Sequence, residues 1–218
     1  MAYDICIFDL DGTLTDPGPG ITKAYQIALS AFGIHEELDS LKRFIGPPLR
    51  DNFRIKCGLS DADTEKAVEI FRDYLKRKGL YENVLCPGIP ELLRDLADSG
   101  KKLAVATNKS TEMASLTVEH FQIDRYFDYI SGDTNEGSLT KYGKLMIIRA
   151  VLDAFDPERI KAAVMVGDRA DDIIGAKANG IDSIGITWGY GSRDELEAAG
   201  ATWIEDHPGA LRRLICCS

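Results

Sequence analysis

No apolar run in this chain approaches the ~20 residues that a membrane-spanning helix needs. The opening Met1-Ala2-Tyr3-Asp4 has no positive region, and Asp9 interrupts the apolar stretch behind it, so a secretory leader is not expected. Cysteine is sparse, five in 218 residues. Cys6 lies in an apolar run, Cys57 and Cys86 stand alone, and Cys216 and Cys217 adjoin at the tail. An odd count without repeated spacing suggests neither a disulfide framework nor a zinc site. Ile215 holds the position where a prenylation signal needs cysteine. His35, His120 and His207 are scattered, without ligand spacing. Positive charge is also short: 26 Lys and Arg stand against 35 Asp and Glu, a formal net charge of −9. That balance argues against nucleic acid or an anionic membrane as partner. A reduced, cytoplasmic, soluble protein is expected.

What is present is an ordinary globular composition, 44% hydrophobic and 28% charged, able to bury a core. Ile5 to Phe8, Lys102 to Thr107, Ala162 to Val166 and Ser183 to Thr187 are short apolar runs of the kind that form buried parallel strands. Between them lie helical patterns: Ile89 to Ser99 closed by Gly100, Thr111 to Phe121, Lys144 to Phe155, and Asp172 to Asn179 closed by Gly180. Strand and helix in alternation predict an α/β fold, a doubly wound (Rossmann-like) parallel sheet. Residues 17–84 break the pattern. Ile21, Tyr25, Ala28, Leu29 and later Val68, Phe71 and Leu75 recur at helical spacing, without a strong strand signal. The expected organisation is an α/β core of 1–16 and 85–218 with an inserted all-helical cap at 17–84. Pro17-Gly18-Pro19-Gly20 and Cys86-Pro87-Gly88 are expected to be its hinges.

In an open α/β sheet, ligands bind beyond the carboxyl ends of the strands. After the first strand come Asp9, Asp11, Gly12, Thr13 and Thr15; after the second, Thr107, Asn108 and Lys109; and later Gly167, Asp168, Arg169, Asp171 and Asp172. Several acids in one cleft call for a divalent cation and a basic side chain. Residues two apart on extended chain face the same way, so Asp9 and Asp11 can address one reacting centre. Two carboxylates there suit a nucleophile and a general acid/base. Gly12 permits a sharp exit and close approach to a phosphate.

The run Asp9-Leu10-Asp11-Gly12-Thr13-Leu14-Thr15 resembles motif one of the haloacid dehalogenase-like hydrolases, a superfamily of mostly Mg²⁺-dependent phosphatases. Thr107 is similar to its motif-two hydroxyl residue, and Gly167-Asp168-Arg169-Ala170-Asp171-Asp172 to motif four. Asp16-Pro17-Gly18-Pro19-Gly20-Ile21 and Phe44-Ile45-Gly46-Pro47-Pro48-Leu49 look most like the phosphoglycolate phosphatase branch. The resemblance implies that Asp9 attacks phosphorus to form an aspartyl-phosphate. Asp11 would protonate the leaving oxygen and then deprotonate the hydrolytic water. It further implies Mg²⁺ on Asp9, the Asp11 carbonyl and Asp168, with Asp172 orienting the metal's waters. Thr107 and the amides of Asn108 and Gly12 would grip the phosphoryl oxygens. For the motif-three lysine, Ser138 to Ile148 offers Lys144, favoured because it precedes the helical run, and Lys141. Asp171 is read as a helix-start acid or a further metal ligand. Gly46 to Arg50 is read as a loop towards the substrate, with Arg43 or Arg50 binding a carboxylate or second phosphate, or as a plain turn. Trp188 and Tyr190 read as packing or rim residues.

The resemblance implies a small phosphate ester as substrate: phosphoglycolate, a nucleoside 5′-monophosphate or pyrophosphate. A phosphoglucomutase-like isomerase shares these motifs, and a retired, ligand-binding regulator is the non-enzymatic alternative. A monomer or homodimer is expected.

Overall fold

The computed structural model describes residues 3–134, 141–156 and 162–217. The chain begins with β1 (Ile5–Phe8), the two-residue β2 (Thr15–Asp16) and α1 (Gly18–Ser30). Two single turns, α2 (Leu38–Leu41) and α3 (Leu49–Asp51), lead to α4 (Asp61–Arg77) and β3 (Val84–Leu85). There follow α5 (Ile89–Asp98), β4 (Lys102–Ser110), α6 (Thr111–His120), β5 (Tyr129–Asp133), β6 (Lys141–Lys144) and α7 (Leu145–Leu152). The remainder is β7 (Ala163–Gly167), α8 (Ala170–Ala178), β8 (Asp182–Ile186), α9 (Arg193–Ala199), β9 (Trp203–Glu205) and α10 (Pro208–Cys217).

The centre is a six-stranded parallel sheet in the order β5-β4-β1-β7-β8-β9. Ile5 and Ile7 bury one face of β1 with Ile147, Ile148, Val151 and Ala176 of α7 and α8. Cys6 and Phe8 bury the other with Leu92, Leu93 and Leu96 of α5 and Leu211 and Ile215 of α10. Both faces are covered, which is why these strands are continuous apolar runs in the sequence. The tail thus packs against the sheet. β1 sits between β4 and β7, where the strand order reverses direction, and the crevice beyond its carboxyl end is the place for a ligand.

Between β2 and β3 a third hydrophobic cluster forms. Ala24, Tyr25, Ala28 and Leu29 of α1 meet Ala67, Val68, Phe71 and Leu75 of α4, with Phe44 and Phe53 closing the ends. Met113 of α6 and Tyr190 connect it to the sheet side.

Several boundaries differ from expectation. Pro17 to Gly20 is not a free hinge: α1 starts at Gly18, with Pro19 in the first turn, where its missing N–H leaves no bond unmade. The joint is instead the antiparallel ribbon Thr15↔Leu85 and Asp16↔Val84. β4 runs past Thr107 to Ser110 through a register shift, α8 begins at Ala170 rather than Asp172, and α7 ends at Leu152.

Candidate active site

Three strand ends build the site. At the first, the Asp9 amide donates to Val166 O at 2.9 Å, the last bond between β1 and β7 before the chain turns away. Asp9 and Asp11 are then held, 3% and 8% exposed, at the floor of a cavity of about 90 Å³. Gly12 has φ +95°, and a methyl group there would run into the Asp168 carboxylate and the Tyr190 ring. Its N–H donates to Thr15 O at 2.7 Å, so this amide is engaged inside the turn instead of facing a ligand.

The second strand end, on β4, supplies Thr107, Asn108 and Lys109, all lining the cavity. Thr107 is buried, and its Oγ1 accepts the Lys109 amide at 3.3 Å. Lys109 Nζ lies 2.7 Å from Asp11 Oδ1. Asn108 Nδ2 donates to Gly46 O (3.0 Å) and to Asp171 Oδ2 (2.9 Å).

The third strand end, after β7, brings Asp168 and Asp172, both fully buried. Thr13 Oγ1 and the Tyr190 amide donate to the two Asp168 oxygens at 3.3 and 2.7 Å, and Trp188 Nε1 donates to Thr13 O. Asp172 accepts the Arg169 amide at 3.0 Å, tying the start of α8 to the strand end before it. Lys144, 3% exposed, reaches Asp9 Oδ1 at 2.7 Å and contacts Asp172 Oδ1. Lys144 is brought to Asp9; the side chain of the other candidate, Lys141, lies outside the described part of the structure, as do residues 138–140 of the expected motif-three segment.

Asp9, Asp168 and Asp172 each offer a carboxylate oxygen, and these atoms all lie within 4.8 Å of one another. Burial, with the Asp9 charge beside it, pushes Asp168 up to about 7. Burial likewise raises Asp172 well above the carboxylate range, against the pull of Lys144. Lys144 is driven the other way: burial alone would lower it, but Asp172 and Asp9 outweigh that and hold it protonated. Asp11 is raised by burial and drawn back by Lys109. Three buried carboxylates share one ammonium, a negative hard-oxygen donor set that fits a divalent cation. The Asp11 carboxylate stands outside this trio, facing Lys109. Asp171 also stands outside it: its Oδ1 accepts the Lys144 amide at 3.2 Å.

The helical side closes the cavity. Ile45, Gly46, Pro47, Leu49 and Arg50 line it, so the Gly46 to Arg50 segment does reach over the carboxylates. Arg43 does not: it pairs with Glu36 at 3.2 Å and stacks on the Phe44 ring, exposed to solvent. Arg72, Asp133 and Met113 also line the cavity. Sequence reasoning assigned no role to Lys109, Arg72, Arg169 or Asp133. For Lys109 a signal existed, because it follows Thr107 and Asn108 directly at the end of a strand, where ligands bind in such a sheet.

Residues 6–186 match the haloacid dehalogenase-like hydrolase family. The chain belongs to that family. A 5′-nucleotidase of Pseudomonas aeruginosa is 41% identical over 99% of this chain and 96% of its own length. The tyrosine-protein kinase PtkA of Mycobacterium tuberculosis is 38% identical over 91% of this chain and 67% of its own length. A phosphoglycolate phosphatase of Vibrio parahaemolyticus is 28% identical over 97% of this chain and 95% of its own. Among solved structures, a predicted phosphatase from Clostridium acetobutylicum superposes with a TM-score of 0.93 at 41% identity, covering 99% of both chains. This haloacid dehalogenase-like hydrolase is accordingly a phosphatase. No helix among its described residues is long and apolar enough to cross a membrane.

Proposed function

We propose that this phosphatase hydrolyses a compact phosphate monoester, of the kind represented by phosphoglycolate, through a phosphorylated Asp9. The observation that carries the reading is the placement of Asp9: buried at the cavity floor, ion-paired to Lys144 at 2.7 Å, with Asp11 two residues on along the same cavity. An Asp9 carboxylate oxygen attacks phosphorus as the bond to the leaving oxygen breaks. Asp11, whose proton affinity burial raises, gives its proton to that oxygen. A water then attacks phosphorus, Asp11 takes its proton, and the bond to Asp9 breaks to release inorganic phosphate. Lys144 neutralises Asp9 on approach of the anionic phosphoryl group, and the Thr107 hydroxyl binds its oxygens. Asp9, Asp168 and Asp172, with the Asp11 carbonyl, would hold Mg²⁺, which supplies charge neutralisation at the phosphoryl oxygens. The helical segment 17–84 acts as a cap that excludes water from the cavity.

The small cavity and the arginines at its helical wall favour a compact, anionic leaving group. The nucleotidase relative at 41% identity supports a second reading, a nucleoside 5′-monophosphate. Phosphate release from phosphoglycolate, nucleoside monophosphates, sugar phosphates and pyrophosphate tests both, with Mg²⁺, with chelator, and with Asp9→Asn. Turnover that needs Mg²⁺ and Asp9 supports the mechanism and ranks the substrates. No phosphate release from any of them, by a folded protein that binds Mg²⁺, refutes it and favours a mutase or a phospho-ligand sensor.

A further inference from the structure

Two core side chains reach across to consecutive carbonyls of one loop on the helical side. Arg169 Nη1 donates to Ile45 O at 2.8 Å, and Asn108 Nδ2 donates to Gly46 O at 3.0 Å. Gly46 has φ +101°, and a methyl group there would press on the Arg169 side chain, so the close seat requires glycine. The Asn108 amide is shared. Its second hydrogen goes to Asp171 Oδ2 at 2.9 Å, and the other oxygen of the same carboxylate accepts the backbone N–H of Lys144 at 3.2 Å. Lys144 in turn pairs with Asp9. An unbroken path of hydrogen bonds therefore runs from Gly46 O through Asn108 and Asp171 to Lys144.

The orientation of the Asn108 amide is forced, because both groups facing its nitrogen are acceptors. Asp171 directs its two carboxylate oxygens at Asn108 and at the Lys144 N–H, and it stands apart from the trio of carboxylates around Asp9. A helix-start acid that only complements the dipole of α8 would not need both its oxygens aimed away from the helix, at Asn108 and at Lys144.

We infer that Asp171 is a positioning residue: it couples the seating of the Ile45–Gly46 loop over the cavity to the placement of Lys144 against Asp9. The kinetic part of this assignment rests on the phosphatase reading above; the loop-docking part does not. Asp171→Asn separates the two oxygens. Its remaining carbonyl can still accept the Lys144 N–H, but its NH₂ faces the Asn108 NH₂. Asn108 cannot turn over to meet it without setting its own oxygen against Gly46 O. Asp171→Ala removes both acceptors.

The test combines steady-state kinetics with limited tryptic cleavage after Arg50, which lies at the end of the loop. For Asp171→Asn, KM is expected to rise about tenfold with kcat changed less than about threefold, the effect of losing one charge-assisted hydrogen bond. Asp171→Ala is expected to show the same rise in KM and a further loss in kcat of about tenfold or more. Cleavage after Arg50 should be several-fold faster in Asp171→Asn and in Asn108→Ala. The double variant should be no faster than the quicker single one, since both break one path. Circular dichroism and thermal melts confirm that each variant is folded. Unchanged KM and unchanged cleavage in a folded Asp171→Asn overturn the assignment, as do effects of Asn108→Ala and Asp171→Asn that multiply. The cleavage cycle needs no turnover, so it stands or falls separately if no phosphate ester is hydrolysed.

Discussion

Lys109 Nζ sits 2.7 Å from Asp11 Oδ1, with the two side chains only 10% and 12% exposed. The general acid of the proposed reaction is thus paired with a lysine two residues beyond Thr107. Lys109→Met leaves the Asp11 carboxylate buried without its partner and removes the main influence that opposes burial there. Two losses are expected, about 10²-fold in kcat from a mistuned acid/base and roughly 3 kcal/mol in stability from the broken pair. Lys109→Arg should recover part of both. Steady-state kinetics and urea unfolding measure them, and a Lys109→Met enzyme with native kcat would remove Lys109 from the chemistry.

Metal and stability should move together. Mg²⁺ binding to the folded state alone adds about 2.7 kcal/mol when its concentration is 100 times the dissociation constant. In Asp168→Asn this Mg²⁺-dependent rise in Tm should vanish. Without metal the same variant should melt no earlier than the wild type, because one of three crowded carboxylates has lost its charge. Thermal melts with and without Mg²⁺ decide it. A full Mg²⁺ shift in Asp168→Asn would exclude that residue as a ligand.

Arg50 and Arg72 line the cavity and also the outer cleft between α4 and α6, marking where the two spaces meet. Arg50 is bidentate to Glu65, at 2.7 and 2.8 Å. Arg72 is half-buried; burial and the neighbouring Arg50 weigh against its charge, and Asp133 and Glu65 work in its favour. In the proposed reaction, in-line attack by Asp9 would send the leaving group to the far side of the cavity, which Arg50 and Arg72 line. Arg72→Met should raise KM for phosphoglycolate about tenfold, the cost of one charge-assisted contact. It should leave ethyl phosphate, whose leaving group is neutral, nearly unaffected. Equal effects on both esters would count against Arg72 as a specificity residue.

Alkaline stability should be set in part by two thiols. Burial pushes both Cys6 and Cys86 up to about 12, against an ordinary value of 9.0. In the unfolded chain they ionise near 9, so above that pH the unfolded state releases protons that the folded state retains. Stability is therefore lost as pH rises from 9 towards 12, on the order of 1 kcal/mol per pH unit for each thiol. Cys6→Ala should flatten the decline of unfolding free energy measured between pH 8.5 and 10.5. An identical slope in the variant would rule Cys6 out as a source.

The central strands were legible because both of their faces are buried, which writes each as an apolar run. The edge strands were not. β5, Tyr-Ile-Ser-Gly-Asp, and the three-residue β9 mix polar and exposed positions and carry no such signature. The β2–β3 ribbon, two residues on each side, is too short for any periodicity. Within the site, Asp9, Asp11, Thr107 and Asp168 follow directly from strand ends, so local sequence placed them. The partners that tune them come from far along the chain: Lys109 to Asp11 and Arg169 to Ile45 are pairings made only by tertiary packing. The choice of Lys144 was reachable from its place just before a helical run, yet its pairing with Asp172 was not, since the two lie far apart in sequence and meet only in the folded chain.

The ribbon that pairs Thr15 with Leu85 and Asp16 with Val84 brings the departure and return of the helical segment side by side. Antiparallel partners have Cα atoms about 5 Å apart, so the sheet meets the inserted segment as two adjacent chain ends. A foreign segment whose own termini lie equally close could be spliced in at this point without altering the register of a single strand beneath it. The register of the sheet and the make-up of the helical segment are thereby separable, the latter being carried by one contiguous stretch of gene.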